Sequence, residues 1–154
     1  MGKDNIMELC VQKALQTLNE GKGGPFGACI VKDGEVVSVA SNSVLGDNDP
    51  TAHAEINAIR QACKNLSTYD LKGCILYTTC YPCPMCLSAI IWSNIKQVYY
   101  GCTAKDADAI GFRDDYIYNF IKGNMQDTQI LNLTQQDREQ CLKLFEAYKG
   151  KTIY

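Results

Sequence analysis

One stretch of the chain, CILYTTCYPCPMCLSAIIW at 74–92, restricts the fold more than any other. Residues 74–79 are a continuous apolar run ending in threonines, which predicts a central strand buried on both faces. Residues 84–93 are largely apolar and predict a buried helix. Pro82 keeps Tyr81 out of helical geometry, so the strand ends before it and the helix begins after it. A strand buried on both faces needs a layer on each side, so the stretch calls for a helix-covered sheet.

The rest of the chain supplies those layers. Ile6, Leu9, Cys10, Ala14, Leu15 and Leu18 recur at helical spacing over 3–20. GKGGPFGA ends that pattern. The runs ACIVKDG and EVVSVASN predict two strands joined through Asp33-Gly34, a hairpin signal. LGDNDP is a loop, with Asp49 as cap and Pro50 as first residue of a second helix whose buried stripe is Ile56, Ile59, Cys63 and Leu66. KQVYYGC predicts a strand, DDYIYNFIKG a helix ending at Gly123, and TQILNL a weaker strand. Thr134-x-x-Asp137 has the form of a capping box opening a last helix to about Lys149. The order α, β-hairpin, α, β, α, β, α, β, α predicts an α/β protein: a three-layer α-β-α sandwich around a central mixed sheet. No repeat, low-complexity tract or linker divides the 154 residues, so 1–154 reads as one domain.

Charge excludes some functions. A formal net charge of −2 leaves no basic surface for gripping phosphate backbones, so nucleic acid is not the expected partner. The apolar runs fall well short of the ~20 residues of a membrane span. The opening MGKDNIMELC lacks a signal peptide's apolar stretch, and Ile6 stands where a myristoylation motif takes Ser or Thr. The nine cysteines are an odd, scattered set, a poor disulfide framework. The expectation is a reducing cytoplasm in which most of them pack as small apolar groups, the sequons at Asn65 and Asn132 being chance matches.

The chemistry gathers at two predicted helix starts. His53, the one histidine, precedes Glu55 by two residues near the start of the second helix. Cys83 and Cys86 flank the start of the third. Free N–H groups and the helix dipole stabilise thiolates there. One histidine and two cysteines make three metal ligands. Structural zinc takes four protein ligands, whereas catalytic zinc keeps one position for water, so the count favours catalysis. Two thiolates damp the metal's acidifying effect, and Glu55 suits the role of the base that compensates. Cys80 belongs to the strand end and is expected to pack rather than ligate. A redox Cys-x-x-Cys is disfavoured because no thioredoxin-like βαβ context surrounds the motif.

His-x-Glu followed by Pro-Cys-x-x-Cys is the signature of zinc-dependent nucleobase deaminases, and HAE at 53–55 and PCPMC at 82–86 match it. Over most of its length the chain resembles the cytidine/deoxycytidylate deaminase superfamily. Within it, GGPFGA at 23–28, NDPTAHAE at 48–55, GF-x-D at 111–114 and Tyr154 most resemble the bacterial guanine deaminases. Tyr81 departs from that pattern, where many relatives have Glu, and Arg113 replaces an acidic residue. The resemblance implies the cytidine-deaminase-like fold, zinc held by His53, Cys83 and Cys86, and Glu55 as proton shuttle. It implies substrate contacts at Phe26 (stacking), Asn42, Ala54, Trp92, Asp114 and Tyr154. It also implies a homodimer that exchanges its C-terminal segment, with Asp114 and Tyr154 contributed across the dimer to close over the base. The reaction implied is hydrolysis of guanine to xanthine and ammonia, with a carboxylate at Asp114 accepting from guanine's N–H donors.

Three other readings stand beside it. A tRNA adenosine deaminase shares DPTAHAE and a similar Pro-Cys-x-x-Cys but needs a basic grip on RNA. A cytosine deaminase needs a smaller pocket. A zinc-stabilised structural module needs a fourth protein ligand, with Cys80 or Cys102 as the candidates.

Overall fold

In a computed structural model that describes residues 5–154, the predicted central strand is β3, Cys74–Cys80. It lies inside a four-stranded sheet of order β2-β1-β3-β4, with β1 Gly27–Lys32, β2 Glu35–Ser41 and β4 Gln97–Cys102. β1 runs antiparallel to both β2 and β3, while β3 and β4 are parallel. The sheet is therefore mixed. Asp33 and Gly34 both take positive φ, 50° and 81°, the geometry of a two-residue hairpin turn, and they pair Lys32 with Glu35.

Helices cover both faces. α1, Ile6–Glu20, packs Ile6 and Cys10 against Cys29 and Val31 of β1. On the other face, α3 (Ala54–Leu66) and α4 (Pro84–Trp92) enclose Ala28, Ile30, Ala40, Leu76 and Ile90. Successive β1 residues thus feed opposite cores, which is why the strand is apolar throughout. The remaining helices are α2 (Val44–Asp47), α5 (Ala104–Ala109), α6 (Asp114–Lys122) and α7 (Arg138–Tyr148).

Four details differ from the sequence reading. Helix α3 begins at Ala54, not Pro50, because the Asp49 carboxylate accepts from the Thr51 amide and hydroxyl and closes a separate turn. The fully buried row of α3 is Ala54, Ala58 and Ala62, with Ile59, Cys63 and Leu66 flanking it half-buried. Alanines let the helix lie close on the sheet, and the larger side chains fill the margins. Among the described residues no strand forms at 128–133. Asp127 curls the chain there, its carbonyl accepting from Ile130 and Leu131 and its carboxylate from Gln129. The capping box expected at Thr134 is absent: Asp137 caps α7 with φ 54° and no side-chain bond. A capping box does form at Thr103 and Asp106, opening α5.

Candidate active site

Two helix starts converge on one point. His53 is the N-cap residue of α3 and Cys83 that of α4, both in extended backbone, and neither side chain caps its own helix. Each is left free to face outward from its helix end. Pro84 at the first turn of α4 suits a position whose N–H has no helical partner. Cys86 follows one turn on, so both thiols lie over the same helix end.

The His53 Nδ1 lies 3.5 Å from Cys83 Sγ and 3.6 Å from Cys86 Sγ, and the three ligand atoms are all within 4.8 Å of one another. A tetrahedral zinc with Zn–S of about 2.3 Å and Zn–N of about 2.1 Å has an N···S edge of about 3.6 Å. The donor set and its spacing therefore fit zinc. Hydrogen bonding from Cys86 and His53 pulls the Cys83 thiol down to about 4, toward thiolate. Its neighbour Cys86 is pushed up, chiefly by that same bond with Cys83. His53 is raised by its contact with Cys83.

Glu55 is buried beside this group, and burial pushes its carboxyl up to about 7. A carboxyl that titrates near neutrality can take and return a proton at working pH. Cys80 closes β3. Its thiol faces the Thr103 carbonyl at 3.6 Å, and burial pushes it up to about 12, so it stays a neutral packing group outside the His53 cluster.

A cavity of about 360 Å³ opens over these groups, lined by Phe26, Asn42, His53, Glu55, Cys83 and Asp114 among others. Asn42 is buried, and its Oδ1 accepts from the Gly24 and Val44 amides, which leaves the Nδ2 donors for a ligand. A Cβ at Gly23 would sit 2.2 Å from the Asn42 carbonyl, so this close approach requires glycine. Burial, together with nearby Cys83, raises the Asp114 carboxyl above its ordinary range. Ala54 is wholly buried between His53 and Glu55.

Asp114 lines the cavity of its own chain rather than reaching it across a dimer, whereas Ala54, Trp92 and Tyr154 are not brought to the cavity lining within the chain. Trp92 is 67% exposed, and its ring centroid lies 6.1 Å from that of Tyr154, which in turn lies 6.3 Å from that of Tyr69. α4 turns Cys86 and Ile90 inward, so Trp92 ends up on the outer face. The sequence reading missed Phe112, which lines the cavity edge-on to Phe26 with ring centroids 4.9 Å apart. Its signal was its place in GF-x-D. It also missed Asn57, whose amide donates to the Ser41 carbonyl and the Ser43 hydroxyl, tying the strand end that carries Asn42 to the helix that carries Glu55. Nothing in a mid-helix asparagine announces that role.

Comparison with known proteins agrees with this geometry. A family model described as the cytidine and deoxycytidylate deaminase zinc-binding region matches residues 2–102. Guanine deaminase of Bacillus subtilis is 50% identical over 150 residues, 97% of this chain and 96% of that one. A crystal structure of guanine deaminase from the same organism superposes with a TM-score of 0.90 at 42% identity, covering 100% of this chain and 99% of that one. A tRNA-specific adenosine deaminase of Aquifex aeolicus is 44% identical over 105 residues, 68% of this chain and 69% of that one. With the zinc-binding region matched across the whole four-stranded sheet and the likeness running almost end to end, the chain belongs to the cytidine and deoxycytidylate deaminase family.

Proposed function

We propose that the protein hydrolyses guanine to xanthine and ammonia, using zinc held by His53, Cys83 and Cys86. The observation that carries this reading is the 50% identity to a guanine deaminase over 97% of the chain, which includes the third beyond residue 102. Zinc bound by this donor set would supply Lewis acidity and lower the pKa of a water molecule. The protein's own groups do the rest. Glu55 takes a proton from the attacking water as oxygen adds to guanine C2, and delivers it to N3. Glu55 then carries the proton of the added hydroxyl to the amine, and the C2–N bond breaks as the C2 carbonyl forms, so that water and guanine yield xanthine and ammonia. Phe26 stacks on the purine. Asn42 donates from Nδ2 to a ring or carbonyl acceptor, and Asp114 accepts from guanine's N–H groups. Ala54, buried behind the lining between His53 and Glu55, acts through its backbone position rather than as a wall of the cavity.

Residues 1–154 form one domain in this reading, acting in the cytoplasm as a homodimer. Its C-terminal segment is exchanged, so that Tyr154 of the partner subunit closes over the base. Support comes from α7, which has no buried residue although Leu144 and Phe145 are 71% and 74% exposed. A second copy would cover that surface.

The test is a panel of guanine, cytosine, adenine, their nucleosides and tRNA, followed by ammonia release with xanthine identified chromatographically. Guanine should be the base consumed. Turnover of cytosine, or of adenosine in tRNA, without turnover of guanine would overturn the substrate assignment. Cobalt substitution should show two sulfur ligands and an exchangeable site, whereas a fourth protein ligand would favour a structural zinc module.

A further inference from the structure

Helix α6 carries Asp114 at its first position, yet none of its residues is buried. It leans on α4 and α5 at the protein surface. Something other than a core must hold the carboxylate in register with the cavity. Among the described residues, one side-chain hydrogen bond joins α6 to another element: the Tyr118 hydroxyl donates to the Pro82 carbonyl at 2.6 Å. Pro82 is buried and immediately precedes Cys83. Tyr118 follows Asp114 by four residues, so both stand on one face of α6. The Tyr118 ring also lies against Tyr81, with centroids 6.1 Å apart.

We propose that Tyr118 is a positioning residue for substrate recognition, which anchors the helix bearing Asp114 to the loop bearing Cys83. The inference rests on the reading of Asp114 as the acceptor of guanine's N–H groups. Two parts of one site come from unlike places: the ligand loop is rooted in the core, and the base-reading carboxylate rides on a surface helix. A hydrogen bond between a phenol and a backbone carbonyl fixes the distance between them with little freedom, because a tyrosine ring has two torsions. Burial raises the phenol above its ordinary range, so the donor proton is retained at any working pH. Without the hydroxyl, α6 still forms and still touches α4 and α5, but Asp114 samples a wider range of positions. Binding of a base read through its N–H donors weakens. The proton transfers of Glu55, which sits on α3, do not.

The experiment is a double-mutant cycle with Tyr118→Phe, Asp114→Asn and the two combined. It is read by steady-state kinetics with guanine and by zinc per chain. Tyr118→Phe should raise KM about three- to tenfold, the weight of one hydrogen bond, with kcat within about twofold and zinc unchanged. On the Asp114→Asn background the same change should have no further effect. A Tyr118→Phe enzyme with unaltered KM overturns the proposal. So does a penalty that persists undiminished on Asp114→Asn, or one that appears as lost zinc or lost kcat, since the hydroxyl would then act through the Cys83 loop. If Asp114→Asn alone leaves KM for guanine unchanged, the reading of Asp114 falls first and the anchor falls with it.

Discussion

Residues up to Cys102 and residues beyond it are built on different terms. The first region holds the whole sheet, both buried clusters and all three candidate zinc ligands. The second holds α5, α6 and α7, in which Ala107 is the one helical residue buried. The family match ends where the first region ends, at residue 102. The likeness to a tRNA adenosine deaminase covers 68% of the chain, whereas that to a guanine deaminase covers 97%. In the proposed reading, the reaction chemistry sits in the well-packed region, the part of the chain that both relatives match. Recognition of guanine, in the same reading, draws partly on the loosely packed region, from which Phe112 and Asp114 reach back into the cavity beside Phe26 and Asn42. A deep core holds ligands to the tolerance that metal and proton transfer demand. An exposed helical segment can change sequence without disturbing them.

The largest effects should come from the first region. Chelation, or His53→Ala, should remove zinc and abolish turnover, measured by metal analysis alongside ammonia release. Glu55→Gln should keep the metal and lose about 10²–10⁴-fold in kcat. If Glu55→Gln retained wild-type turnover, the proton shuttle would have to be sought elsewhere and the division drawn above would lose its catalytic half.

Removal of residues 137–154 comes next. It deletes α7, none of which is buried, and should leave a folded, zinc-binding protein. Guanine turnover should fall by at least about tenfold and the proposed dimer should dissociate, as read by light scattering. A truncated chain that loses its zinc or its circular dichroism would show that the second region supports the core after all.

Burial of Glu55 offers a test internal to the first region. In metal-free protein the carboxyl is pushed up to about 7, against an ordinary value near 4.3 in an unfolded chain. Between those values the unfolded chain gives up its proton first. Stability is thus fully present below about pH 4 and is lost as pH rises through 7, by about 4 kcal/mol. Metal-free Glu55→Gln should accordingly match the wild type in denaturant melts at pH 4.5 and exceed it at pH 8. Equal stabilities at both would mean that the carboxyl is not held in a desolvated place.

The first region was also the more legible in sequence, and for the same reason. The break at Pro82, the turn at Asp33-Gly34 and the run CILYTT are local signals that the core reinforces. His53, Cys83 and Cys86 could be grouped because each stands beside a helix start that composition marks. The alanine row of α3 was harder to read, since small residues that permit close packing carry little hydrophobic signal. Trp92 could not be placed from sequence because α4 is apolar all round, so periodicity could not say which side faces in. Beyond Cys102 the apolar residues have no sheet to face. TQILNL has the composition of a strand but no partner strand, and Asp127 turns the chain before one could form. The Tyr118 bond joins residues 36 positions apart, and no local pattern encodes it.

The smallest predicted effect lies at the boundary itself. Thr103 follows directly on β4, and its hydroxyl accepts from the Asp106 amide at 3.2 Å while the Asp106 carboxylate accepts from the Thr103 amide at 2.9 Å. This reciprocal cap starts the first helix after the core. If the two regions open independently, Thr103→Ala should speed hydrogen exchange about fivefold across 104–109, the weight of one cap. Exchange in α3 and α4 should be unchanged, and kcat on guanine should hold. Faster exchange spreading into Ala54–Leu66 would mean that the regions open together. The loosely packed segment would then be part of the core's own cooperative unit, and the separation of chemistry from recognition would be one of sequence rather than of stability.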